Sequence, residues 1–146
     1  MLPTYLDAQI SQNSGSFGAP LTLVTSIPVL FGTLGLITAG AGANLRVQFK
    51  STVTIGAIVT VASSVIIQIV RGVGGPGVGT TVYTAIHTLP LLGDATFSTE
   101  VITITGSDFL RPNPGFLTYQ AFVSVTGIAV ATRVGPESFN ALAVSD

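Results

Sequence analysis

The chain is expected to fold as an all-β, antiparallel jelly-roll sandwich, and three observations carry that expectation. In Leu45–Ile55, LRVQFKSTVTI, the residues Leu45, Val47, Phe49, Val53 and Ile55 share one parity, interrupted only by Ser51. Arg46, Gln48, Lys50, Thr52 and Thr54 hold the other parity, which is the pattern of a strand with one greasy and one wet face. Phe116–Thr126 repeats the theme, with Leu117, Tyr119, Ala121, Val123 and Val125 on one face and Phe122 as the exception on the other. About nine such segments follow one another at roughly 8–12-residue spacing, with turn residues between them and no helical period.

Composition sets the surroundings of such a sandwich. The 146 residues suffice for one domain with a sizeable core. Charged residues make up only 8%, against roughly 25% in ordinary soluble domains. A surface so poor in charge is expected to be covered by protein or lipid. The net charge is −1 and the five basic residues, Arg46, Lys50, Arg71, Arg111 and Arg133, are scattered, which excludes a nucleic-acid footprint. Without cysteine there is no disulfide, thiol nucleophile or thiolate metal site. No secretory signal is read in residues 1–20, which lack a basic start and an apolar run. Mean hydropathy is high, and Ser51–Val70 carries no charge. That stretch is nevertheless filled with Val, Ile, Thr and Ser and continues the preceding alternation, so strands account for it better than a membrane span.

In chain order, residues 1–20 read as an N-terminal arm. Its few apolar residues, Leu2, Tyr5, Leu6 and Ile10, are too sparse for a core element. Two readings stay open: a frayed terminus, or a connector that adds its backbone to a neighbouring subunit's sheet edge. The jelly-roll domain is expected over 21–146. It begins with short strands at 21–31 and 34–38, punctuated by Pro28, Gly32 and Gly35, and the turn-forming run AGAGAN precedes the central strand. Gly56 reads as a kink or bulge, 57–62 as a further strand, and Ser63-Ser64 as a turn. Val65–Arg71, VIIQIVR, reads as a strand covered on both faces. Strands at 80–89, 97–105 (closed by Gly106), 116–126, 128–134 and 138–144 complete the set, separated by the loops GVGGPGVG and SDFLRPNPG and by the turns at Pro90–Asp94 and Gly135-Pro136.

The order PVLFGT, TAGAGANLRVQFKSTVTIG, then VIIQIVRG with its Gly/Pro loop resembles the C-terminal head of Bacillus-type exosporium collagen-like glycoproteins. Those heads carry a PVxFxT start, a tGxYxixv strand and an lxIqvNGvpvPG hairpin, the last matched by Ile67-Gln68-Ile69 and Gly72–Gly77. The resemblance covers about residue 27 to the C-terminus. It implies a tumour-necrosis-factor-like jelly roll forming tight homotrimers. Two departures are visible: Asn44 and Leu45 replace the usual aromatic of the long strand, and a short arm replaces the collagen-like stalk. A stalkless head with an arm is similar to the repeating subunit of a bacterial endospore appendage. The implied function is a structural protein on a bacterial spore surface, outside the cell, whose trimers stack into a fibre with itself and other spore-surface proteins as partners. In that reading Leu2, Tyr5, Leu6 and Ile10 form the assembly arm. Leu45, Val47, Phe49, Val53, Ile55, Leu117, Tyr119 and Val123 form the core or trimer face. A trimeric head binding a glycan or receptor through the loops at 72–79 and 107–115, and a viral capsid or fibre jelly roll, are the alternatives.

Residue chemistry points the same way. Gly72, Gly74 and Gly77 match G-x-G-x-x-G, but strand-like residues follow where a dinucleotide site needs a helix, so a hairpin loop is expected. His87 is the only histidine, with Asp94 and Glu100 as the nearest acids, and reads as a surface or interface residue. No G-x-S-x-G elbow accompanies it. Asp108, Arg111 and Asn113 share one polar loop with a single acid, which favours a solvated loop or an Arg–Asp pair over calcium. No catalytic residue, cofactor or metal ligand is therefore expected. Arg46 or Lys50, paired with a partner chain's acid, are candidates for setting interface register.

Overall fold

The computed structural model describes residues 2–92, 96–109, 112–127 and 130–146. Ten strands and no helix occur among them: β1 (Thr4–Ser14), β2 (Thr22–Val24), β3 (Val29–Ile37), β4 (Arg46–Ile58), β5 (Ser64–Arg71), β6 (Thr80–Thr88), β7 (Phe97–Asp108), β8 (Phe116–Thr126), β9 (Val130–Arg133) and β10 (Glu137–Ser145). None of the chain described is thus a helix long and apolar enough to cross a membrane. All the ladders are antiparallel.

The strands form two packed layers. The first sheet runs β1-β10-β4-β7, and β9 and β2 continue it beside the far half of β4. The second runs β3-β8-β5-β6. The chain passes repeatedly from one sheet to the other, and this interleaving of antiparallel strands over one core makes a jelly roll. The central strand β4 is flanked by β7 along nearly its whole length. Its other side is shared: β10 pairs with Arg46–Thr52 and β9 with Ile55–Ile58. Between those two the chain bulges at Val134–Pro136, where the Val134 N–H donates to the Thr54 carbonyl (3.0 Å) and the Thr54 hydroxyl donates to the Pro136 carbonyl (2.8 Å).

Burial follows the alternation. Leu45, Val47, Phe49, Val53 and Ile55 point into the core from one sheet, and Leu117, Tyr119 and Val123 meet them from the other. All eight are buried in the core of the single chain. Phe49 and Tyr83 pack edge to face, with centroids 5.5 Å apart at 74°. Gly106 makes room for them, since a Cβ there would lie 2.5 Å from the Phe49 ring and 2.8 Å from Tyr83. Gly106 does not end β7, which runs on to Asp108.

Several expectations need correction. Residues 21–31 hold a short strand, β2, and then the start of β3, which continues past a register shift between Leu30 and Gly32 and through Gly35 to Ile37. Gly56 does not kink β4; its bare α-carbon carries the ring of Phe97, whose Cζ would stand 2.2 Å from a Cβ. The strand expected at 57–62 is absent, because β4 ends at Ile58 and β5 starts at Ser64. VIIQIVR is not covered throughout: Val65, Ile67 and Ile69 are buried, while Ile66 and Gln68 are half-buried on the outer face. Val70 is sealed because the 72–79 loop folds back over it, placing Gly79 against its side chain. The same loop explains Phe122, the apolar residue on the wrong face of β8: Gly75 approaches its ring and covers it. The last of the paired C-terminal strands are β9, shorter than expected, and β10; Ile128 lies outside the described residues.

Ser51 breaks the apolar face of β4 and is fully buried opposite Phe139 and Ile104, with no hydrogen-bond partner for its hydroxyl among the described residues. Ser51→Ala is expected to raise folding stability by about 1 kcal/mol, because it deletes an unpaired buried hydroxyl. Urea denaturation with a higher midpoint and unchanged slope is the check.

Candidate assembly surface

Most of the scarce charges among the described residues are paired within the chain. Arg133 and Glu137 straddle the bulge between β9 and β10 and form a buried ion pair: the guanidinium Nε donates to Oε2 (2.9 Å) and Nη2 to Oε1. Asn13 of β1 donates to the same carboxylate, and Arg133 Nη1 reaches the Leu30 carbonyl of the opposite sheet (3.4 Å). Asp108 accepts from Arg71 Nη1 and from the Tyr119 hydroxyl, each at 2.7 Å, tying β7 to β5 and β8. His87 Nε2 lies 3.4 Å from Glu100, joining the edges of the two sheets. Arg46 pairs with Asp146 of its own chain (3.1 Å). Lys50 forms no ion pair among the described residues.

Within the described residues the groups singled out in the sequence are placed as follows. Asp108 is committed to Arg71 and Tyr119. Asn113 caps neighbouring backbone and side chain, accepting from the Thr38 hydroxyl (2.8 Å) and the Gly115 N–H (3.2 Å). Arg111 and Asp94 lie outside the described residues. No group of three or more His, Cys, Asp or Glu able to hold a metal occurs among those described. Gly72, Gly74 and Gly77 all adopt positive φ in the loop joining β5 to β6, and the strand that follows them offers no helix N-terminus for a phosphate.

What remains is surface. Among the described residues, the outer face of the β3-β8-β5-β6 sheet carries no charged side chain. Its strands hold only Arg71 and His87, whose cross-strand partners Tyr119 and Val65 are core residues, so both turn inward. Thr, Ser and Gln share that face with Leu30, Ile37, Ile86 and Phe116, all exposed. On the opposite side of the sandwich, the outer face of the first sheet is polar around Gln48, Lys50 and Asn140. It is apolar at its other end, where Leu23, Phe97, Val101 and Val130 stand exposed. Each face has an aromatic ring laid over a glycine, Phe97 on Gly56 and Phe116 on Gly35. This flattens the surface and adds apolar area to it.

Of the arm residues, Leu2, Tyr5 and Ile10 are exposed and Leu6 is partly buried against the core. Thr4–Ser14 forms strand β1, paired with β10 of the same chain. Hydropathy does not reveal it, because an edge strand held by its backbone ladder needs almost no apolar face.

Neither a protein-family model nor a curated protein sequence matches the chain. Among solved structures, 100% of it aligns with part of dimeric latent PorU from Porphyromonas gingivalis, at 11% identity and a TM-score of 0.55. The chain spans 13% of that PorU chain. Eiger TNF from S. frugiperda aligns over 98% of this chain and 95% of its own, at 10% identity and a TM-score of 0.49. At such identities the PorU likeness speaks for the fold alone: an antiparallel jelly-roll domain.

Proposed function

We propose that this jelly-roll domain is a structural subunit that assembles with copies of itself into a fibre, its N-terminal segment joining successive subunits. The observation that carries the reading is the pair of uncharged, apolar patches on opposite faces of one sandwich. Two different patches that dock onto each other make a head-to-tail contact, and such a contact propagates unless its rotation closes a ring. A standard interface buries roughly 800 Å² per partner, about a tenth of the 7131 Å² surface. At about 25 cal/mol per Å² its apolar part stabilises assembly and makes the missing charge tolerable. Trimers as the stacking unit, a tumour-necrosis-factor-like form and a place on the bacterial spore surface follow from the resemblance to exosporium heads and belong to the same proposal.

Negative-stain electron microscopy tests it with the full chain and two variants, Ile86→Lys and Val101→Lys, each placing a charge in one patch at an exposed position. Filaments from the parent, and discrete folded particles from both variants, are the expected result. Discrete particles from the parent itself overturn the fibre and leave a free-standing binding head.

A further inference from the structure

We propose that β1 is an exchangeable strand, and that the groove it occupies between β10 and β3 receives the β1 of a second copy of this chain. The inference rests on the self-assembly reading and names its connecting site. None of the β1 residues is fully buried, and Leu6 alone packs on the core. The strand itself therefore contributes little apolar surface to the core. What holds it is specific. Beyond the register Thr4↔Ser145 to Ser14↔Glu137, three side chains bond the body. Asp7 Oδ2 accepts the Ile37 N–H (2.8 Å), Ser11 Oγ accepts the Thr33 N–H (3.3 Å), and Asn13 donates to Glu137.

Ile37 and Thr33 lie on the edge of the other sheet, so β1 extends one sheet through its backbone and caps the second through its side chains. Asp at 7, Ser at 11 and Asn at 13 thus match three fixed acceptors and donors, a code that any copy of the chain can satisfy. The root of the strand is equally defined. Gly18 donates to the Val134 carbonyl (2.7 Å), and the backbone oxygens of Ser16 and Ala19 press against Gly135. The chain therefore turns between the end of β1 at Ser14 and the anchored Gly18, and the pivot lies in that turn, which begins with Gly15. Swapping an identical element restores every contact in the partner, which makes exchange a low-cost route to oligomers. When each copy donates onward, the result is an open chain.

The absence of native cysteine makes the test direct. Ala8 and Leu142 are directly opposed in the β1–β10 register, and opposed Cα atoms stand roughly 4.5–5.5 Å apart, within disulfide range. The Ala8→Cys/Leu142→Cys double variant is assembled under reducing conditions, oxidised, and run on a denaturing gel without reductant. Gln12→Cys/Ser138→Cys, another opposed pair, serves as an independent reporter. A ladder of covalent oligomers replacing the monomer band is expected. Filaments whose chains all run as internally linked monomers overturn the exchange while leaving self-assembly standing. Covalent dimers without filaments uphold the exchange and overturn the fibre. Monomers without filaments overturn both.

Discussion

Glu137→Ala is expected to cost about 3–5 kcal/mol of folding stability, the penalty for leaving one member of a buried ion pair uncompensated. Glu137 is completely buried and its partner Arg133 nearly so. Once the carboxylate is gone, the guanidinium keeps, among the described residues, only the Leu30 carbonyl, and Asn13 loses its acceptor. Water cannot easily reach the site to replace them, and the desolvation of the remaining charge decides the sign. The double variant Arg133→Met/Glu137→Leu removes both charges together and is expected to recover most of the loss, because well-packed apolar residues often match or exceed a buried pair. Chemical denaturation of the parent, the single variant and the double variant separates the two cases. A loss below 1 kcal/mol for Glu137→Ala would show that solvent reaches the pair.

Phe139→Ala is expected to be as damaging, at about 3–5 kcal/mol. Phe139 is fully buried on β10, and its ring sits against Gly32, where a Cβ would come within 2.7 Å of the Phe139 side chain. β3 cannot move in to fill the space, because it is held by its ladder to β8. The cavity therefore persists, and the cost includes it as well as the lost transfer energy. Guanidinium denaturation checks the value, and Phe139→Leu, which keeps most of the volume, is expected to fall well short of it.

The parts of the fold that were legible in the sequence are those where one face of a strand is apolar and the other wet. β4 and β8 show this best, and their inward residues are the observed core. β1 was illegible as a strand because its attachments are backbone ladders and the polar contacts of Asp7, Ser11 and Asn13, none of which leaves an apolar period. Gly56 misled for a related reason. A glycine that hosts a ring arriving from β7 looks, in one dimension, the same as a glycine that bends the chain. The Arg133–Glu137 pair is four residues apart, yet only the bulge around Gly135 turns the two side chains toward each other. The surface was readable as a shortage of charge, whereas its division into two opposed patches depends on the sheet order.

The placement of the basic residues has one more consequence. Trypsin cuts after lysine and arginine, and the first such residue in the chain is Arg46. Arg46, Lys50, Arg71 and Arg133 all lie within β4, β5 and β9, where a protease cannot thread the backbone through its cleft until the strand leaves its sheet. Digestion at those four bonds is thus governed by opening of the fold rather than by access to its surface. The placement of its few charges within strands thus gives the folded chain a resistance to tryptic attack at these four positions.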